Sequence, residues 1–165
     1  MLGMSLATFT FVHVLISLIG IGTGLAVMYG LLRGYRMDSL TAVFLATTAL
    51  TSITGFGFPF TQLLPSHKVG IISLVLLALA IPARYVFHLT GPWRLTYVVT
   101  AAMALYLNCF VLVVQLFMKV PALKALAPTQ KEPPFLVVQL FVLALFIGLT
   151  ILAAKRFRVG SAQTA

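Results

Sequence analysis

The stretch Leu95–Met118, LTYVVTAAMALYLNCFVLVVQLFM, contains no charged side chain. An α-helix rises about 1.5 Å per residue, so about 20 apolar residues cross the roughly 30 Å hydrocarbon core of a bilayer. This segment is therefore long and apolar enough to form a transmembrane helix. The whole chain is similar, because 61% of its 165 residues are apolar and 8% are charged. Soluble domains carry about 25% charged residues, so the composition excludes a soluble globular protein.

Five apolar segments are long enough to cross a bilayer. They lie at Thr10–Leu32, Leu40–Phe60, Val69–His88, Leu95–Met118 and Phe135–Ala154. The remaining residues form short tails and connectors, which leave no room for a soluble domain. The sequence predicts that residues 1–165 form a single all-α domain, a polytopic transmembrane helical bundle with five spans.

Residues that begin and end helices support these boundaries. Asp38 and Ser66 are predicted N-caps of the second and third helices. Gly91 is predicted to end the third helix, and Pro92 to begin the fourth. The prolines of the connector Lys119–Pro134 predict a non-helical or broken chain there.

The basic residues predict how the bundle is oriented. An outside amino terminus places seven of them inside, namely Arg33, Arg36, Arg84, Arg94, Lys155, Arg156 and Arg158. The four that remain outside are Lys68, Lys119, Lys124 and Lys131. Because cytoplasmic loops are enriched in Lys and Arg, we expect the amino terminus outside and the carboxyl terminus inside.

Polar residues within the spans mark the helix faces that point into the bundle, because polar groups facing lipid are costly. Asn108 and Gln115 lie on one heptad-like seam of the fourth span. In the first span, His13 and Ser17 share a face with a GxxxG spacing, which permits close helix approach. The predicted depths bring the polar groups together in the outer half of the membrane. The candidate cavity-lining residues are His13, Ser17, Thr51, Thr54, Ser73, Asn108, Gln115 and Gln139.

Two functional hypotheses follow from these polar groups. The first is a non-enzymatic integral membrane protein with an outward-facing polar cavity, which binds or passes a small solute or serves as a subunit of a larger membrane complex. The second is a purely structural or assembly partner, whose polar side chains only join helices at roughly 0.6 kcal/mol per hydrogen bond. The predicted partners are the lipid bilayer and further membrane subunits, including a homo-oligomer.

His13 and His67 open a further alternative, a b-type haem or metal-binding membrane protein, because imidazole is a common ligand of such groups. Both histidines are predicted near the outer face. They meet only if the first and third helices are neighbours. Apart from this alternative, no cofactor is expected, since the single cysteine, Cys109, forms no metal-binding motif.

The distribution of charge argues against enzymes and nucleic-acid binders. The two acidic residues, Asp38 and Glu132, lie in predicted connectors. The spans therefore lack the acid of a nucleophilic triad and the carboxylate typical of proton-coupled transport. The basic residues are scattered and form no long run, so nucleic acid is not an expected partner.

One stretch of the second span supports another interpretation. Ile53–Gly57 (ITGFG) resembles the backbone-carbonyl filter of potassium channels, although Ile53 stands where that family has Thr. A re-entrant segment there would invert the upstream topology and weaken the charge asymmetry. We therefore expect a packing helix rich in Thr and Gly.

Two further stretches carry a family resemblance. Leu64–Leu74 (LPSHKVGIISL) and Pro121–Phe135 (PALKALAPTQKEPPF) resemble segments of a group of small, uncharacterised, multi-spanning proteins from bacterial genomes. The resemblance implies a bacterial inner-membrane location and assigns no activity, ligand or site residue.

Overall fold

The computed structural model describes residues 5–58 and 65–158. Six helices occupy this part of the chain: α1 Leu6–Arg33, α2 Asp38–Gly55, α3 Pro65–Tyr85, α4 Pro92–Lys119, α5 Pro121–Leu126 and α6 Pro133–Arg156. The described residues contain no strand, so the predicted all-α class is confirmed.

Four of the described helices are long and apolar enough to cross a membrane. They are α1, the Ser66–Tyr85 part of α3, α4 and α6. The fifth long helix, α2, is less apolar because threonine and serine residues recur along it. The prediction of a membrane protein is therefore supported directly by four helices.

The five long helices pack as a closed ring in the order α1, α2, α3, α4 and α6, and α6 returns to α1. Helix α4 also contacts α1 and α2 across the ring, so it is the most central element. Helices α1 and α2 approach closely at the predicted GxxxG face, where a Cβ atom on Gly20 would lie 3.0 Å from Thr47 Oγ1. The small residues of α1 thus allow its backbone to reach α2.

The two ends of the bundle differ in packing. The His13 end contains the beginnings of α1 and α3 and the ends of α2 and α4, whereas the Arg84 end contains the opposite termini. A tightly packed apolar core fills the half of the bundle next to the Arg84 end. It includes Val27, Leu31, Phe44, Leu77, Ala80, Ala83, Val98, Ala101 and Leu105. Any cavity that opens at the His13 end is therefore closed below by this core.

An ion pair with a buried cation lies at the Arg84 end. The guanidinium of Arg84 donates to the carboxylate of Asp38, and its Cζ lies 5.2 Å from the ring centroid of Tyr97. The Arg84 side chain is 2% exposed, so its charge lies inside the bundle and not at the membrane edge. Asp38 and the aromatic ring compensate the burial of its charge.

At the same end of the bundle, Arg94 binds the carboxyl end of α6. Its Nη1 donates to the carbonyl oxygens of Ala154 at 2.9 Å and Phe157 at 2.5 Å. These carbonyls terminate α6 and have no intrahelical donor, so Arg94 caps that helix from α4.

Several predicted helix ends need correction. Asp38 is the first residue of α2 and not its N-cap, because its carboxylate pairs with Arg84. Ser66 lies inside α3, which begins at Pro65. Helix α3 ends at Tyr85 instead of His88, and Gly91, with φ 51°, is the N-cap of α4.

The second span has a shorter described helix than expected. It is helical through Gly55 and so has no filter-like extended backbone at Ile53–Gly55. Its predicted end, Phe60, lies outside the described residues.

The connector between α4 and α6 is a broken chain, as its prolines predict, and it includes one short helix. It contains α5, and the side-chain amide of Gln130 donates to the Val114 carbonyl oxygen at 2.9 Å. The Glu132 carboxylate accepts hydrogen bonds from Thr129 and from the Lys131 backbone. Although partial desolvation opposes the effect, these hydrogen bonds lower the pKa of Glu132 below its ordinary value. Glu132 is therefore an ionised residue that organises its own loop.

Candidate functional site

A cavity of about 440 Å³ lies among α1, α2, α3 and α4 at the His13 end. Its volume is within the range of roughly 300–1,000 Å³ that is typical of small-molecule sites. Six of the eight predicted lining residues belong to it: His13, Ser17, Thr51, Ser73, Asn108 and Gln115. The polar residues identified by their spacing on four separate helices thus line one cavity.

The other two predicted lining residues lie elsewhere. Thr54 is behind His13 and holds its imidazole. Gln139 is buried on α6, where its Nε2 donates to the Phe110 carbonyl oxygen of α4 at 3.2 Å. Helix α6 packs on α4 away from the cavity, so the placement of Gln139 in the cavity lining is wrong.

Hydrogen bonds fix the orientation of the His13 ring. Its Nδ1 lies 2.8 Å from Thr54 Oγ1, and this hydroxyl donates its single proton to the Leu50 carbonyl oxygen at 2.7 Å. This geometry favours the tautomer in which Nδ1 donates to the Thr54 hydroxyl and Nε2 is left as a hydrogen-bond acceptor. The ring also meets Phe58 edge-on, with centroids 5.1 Å apart.

Asn108 joins two helices at the bottom of the cavity. Its Nδ2 donates to Thr48 Oγ1 at 3.0 Å, and Thr48 is fully buried on α2. Asn108 therefore forms a hydrogen bond between α4 and α2. Gln115, one of the other polar residues of the same seam, makes no such bond to a described residue and lines the cavity half-buried.

Three polar groups of the lining have no protein partner among the described residues. The Oγ1 atom of Thr51 is buried without a hydrogen bond. Ser73, which is 2% exposed, and Gln115 likewise make no hydrogen bond to another described residue. Buried polar groups are almost always paired, and an unsatisfied group is especially costly where no water is present. This cost applies to Thr51, whereas Ser73 and the half-buried Gln115 line the cavity space, so all three can bond an occupant.

The cavity has a polar mouth and a closed base. Thr10, Ser66 and Lys119 lie near the helix ends, while Ile21 and Asn108 lie deepest. Below Ile21, the side chains of Leu105 and Phe44 press directly against the Gly24 backbone. The space is thus a blind pocket and not a continuous pore.

Lys119 is a lining residue that polar spacing within the spans did not identify. It ends α4 one helical turn after Gln115, so the same seam brings it to the mouth of the cavity. The i, i+4 relation to Gln115 was a usable signal. It was missed because Lys119 had been assigned to the connector.

His67 lines the same cavity from α3, and its ring is tilted against Phe56 with centroids 5.4 Å apart. Helices α1 and α3 are separated by α2 in the ring and are not packing neighbours, so the condition stated above for the two histidines to meet is not fulfilled. Among residues 5–58 and 65–158, no group of three or more His, Cys, Asp or Glu side chains could hold a metal ion. The site therefore offers at most a pair of histidine ligands.

The cavity combines an oriented imidazole, several unpaired polar groups and one lysine within mainly apolar walls. These features are those of a site for a small amphipathic molecule. Compared with known proteins, the chain matches no family model, no curated protein and no solved structure.

Proposed function

We propose that this chain is a five-span, non-enzymatic membrane protein whose cavity opens to the outside and binds a small solute. Its amino terminus lies outside and its carboxyl terminus inside, in the inner membrane of a bacterium. Binding is favoured over passage because the apolar core closes the base of the cavity.

The observation that carries this proposal is a lining in which Thr51 Oγ1 is buried without a partner and Ser73 and Gln115 make no hydrogen bond to a described residue. Polar side chains that only join helices are expected to bond each other, as Asn108 and Thr48 do. A ligand or water that bonds the three remaining groups removes the cost of leaving them unsatisfied. Solute binding therefore accounts for residues that helix packing alone leaves unexplained.

Binding without catalysis is supported by the chemistry of the lining. Its described residues include no Asp or Glu, and the Nδ1 atom of His13 is held by a threonine. Nucleophilic catalysis usually pairs an activated nucleophile with a base that a third group orients. The site has an oriented imidazole and no acidic partner for it.

A fifth span is supported by the length and position of α2. Its 18 residues extend about 27 Å, close to the thickness of the hydrocarbon core. The helix packs between α1 and α3, and it buries the hydroxyls of Thr48 and Ser52 inside the bundle. Neighbouring helices therefore shield much of its polar surface from lipid.

Solvent access to single cysteines tests the cavity directly. In a Cys109→Ala background, Ser73→Cys and Gln115→Cys should react readily with hydroxyethyl methanethiosulfonate, a small neutral reagent. Gln139→Cys is the matched control, because this buried polar position lies at the α4–α6 contact outside the cavity. Equal protection of all three cysteines, measured by mass spectrometry, would contradict a water-accessible cavity.

The topology is tested with an impermeant maleimide applied to intact cells. Cysteines at the exposed positions Ser66 and Thr129 should be labelled, whereas one at Tyr35 should be labelled only after the membrane is opened. Ser161, outside the described residues, should behave like Tyr35. Labelling of Tyr35 and Ser66 from the same side would show that α2 does not span.

A second candidate function, binding of a b-type haem or a metal ion, is favoured by one observation. The favoured tautomer of His13 leaves Nε2 for a ligand, as in many metal-binding histidines, and His67 lines the same cavity from α3, which does not pack on α1. This candidate predicts a Soret absorption band or a bound metal in the purified protein, lost in both His13→Ala and His67→Ala. In contrast, the solute-binding proposal requires no such band.

A further inference from the structure

Lys119 gives the cavity a charge preference. Building on the solute-binding function proposed above, we infer that the cavity selects a small organic anion with an apolar body, whose anionic group binds at Lys119. The inference rests on the charges around the cavity and on the arrangement of its polar and apolar walls.

No described carboxylate neutralises Lys119. The lining residues include no acid. Asp38 is paired with Arg84 at the opposite end of the bundle, and the Glu132 carboxylate is engaged by Thr129 and the Lys131 backbone. A cleft with low-dielectric walls and charge of one sign concentrates ions of the opposite sign. The mouth of the cavity therefore attracts anions and repels cations.

The uncharged polar groups near Lys119 fit an oxyanion. Gln115 lies one helical turn below Lys119 on α4, and Ser73 faces the same space from α3. Their amide and hydroxyl groups can donate to carboxylate or phosphate oxygens, which take charge-assisted hydrogen bonds. The amide of Gln115 and the hydroxyl of Ser73 therefore place the anionic group beside Lys119.

The deeper walls fit an apolar body. Leu18 and Ile21 of α1 face Val111 and Leu112 of α4 below the polar mouth. Burying apolar surface against such side chains contributes about 25 cal/mol per Å². An inorganic anion would leave these walls without a partner, so the cavity is suited to an anionic amphiphile.

Charged thiol reagents test the preference at Ser73→Cys in the Cys109→Ala background. The measured quantity is the reaction rate of a sulfonate-bearing methanethiosulfonate divided by the rate of its trimethylammonium analogue. This rate ratio should be about fivefold higher at Ser73→Cys than for free cysteine. In Lys119→Gln the rate ratio should fall to the value for free cysteine, and in Lys119→Arg it should stay as high as with lysine. Lys124→Gln, which removes an exposed charge outside the cavity, is the matched control and should leave the ratio unchanged.

Protection by added amphiphiles identifies the source of the anion. In phosphatidylcholine vesicles, octanoate should slow the modification of Ser73→Cys by the neutral reagent, whereas octanol and octyltrimethylammonium should not. The cysteine of Ser73→Cys could instead be protected only in vesicles that contain phosphatidylglycerol, with no octanoate added. That result would support the same anion preference and assign the anion to a lipid.

The outcomes separate this inference from the function on which it rests. Equal relative rates for the two charged reagents, or unchanged rates in Lys119→Gln, would overturn the anion preference and leave the cavity intact. No reaction with the neutral reagent would overturn the cavity itself and the inference with it.

Discussion

Replacing Asp38 by alanine is expected to destabilise the protein by about 3 kcal/mol, because it leaves the buried guanidinium of Arg84 without its anionic partner. Stacking on Tyr97 compensates only part of the lost interaction. The effect can be measured by unfolding the detergent-solubilised protein in increasing dodecyl sulfate. Fluorescence of the single tryptophan, Trp93, which stacks on Phe87, reports the transition.

Two further variants control this experiment. Arg36→Gln removes a weaker contact, with Arg36 Nε 3.9 Å from the carboxylate, and should cost less than about 1 kcal/mol. The double variant Asp38→Ala/Arg84→Met removes both charges and should recover much of the lost stability. A double variant as unstable as Asp38→Ala alone would contradict a stranded charge as the cause.

Replacing Gly24 by alanine should destabilise the bundle by about 2 kcal/mol, because the new methyl group overpacks the core. A Cβ atom at this position would lie 2.5 Å from Leu105 Cδ1 and 2.8 Å from two ring carbons of Phe44. These contacts are too short, so the packed side chains of Leu105 and Phe44, or α1 itself, must shift. The same dodecyl sulfate titration measures the change.

Gly22 provides the matched control two residues earlier on the same helix. A Cβ atom there meets no atom within 4 Å, so Gly22→Ala should stabilise the helix by up to about 1 kcal/mol through its higher helix propensity. Opposite signs for the two substitutions are the expected result. A Gly24→Ala variant as stable as Gly22→Ala would show that α1 is not held closely at this face.

The all-α class and much of the cavity could be predicted because both depend on periodicity. A helix repeats every 3.6 residues, so a polar face can be read from spacing on one segment. His13, Ser73 and Gln115 were placed in one space in this way, although they belong to three different helices.

Spacing does not reveal which helix covers a given face. Gln139 has an inward-pointing face like the others, but its neighbour is the side of α4 that bears Phe110. The pairing of Arg84 was also missed. A rule that extends arginine towards the membrane edge considers one helix, whereas the partner Asp38 begins another helix 46 residues earlier.

The order in which the ribosome delivers the two partners of this ion pair has a consequence for biogenesis. At roughly 5–20 residues per second, Asp38 is synthesised about 2–9 seconds before Arg84, 46 positions later. During that interval α1 and α2 can already pack through their glycine contacts, while Asp38 has no Arg84 partner. The Arg84–Asp38 contact can therefore form only after α3 has been synthesised, so it joins α3 to helices that are already complete.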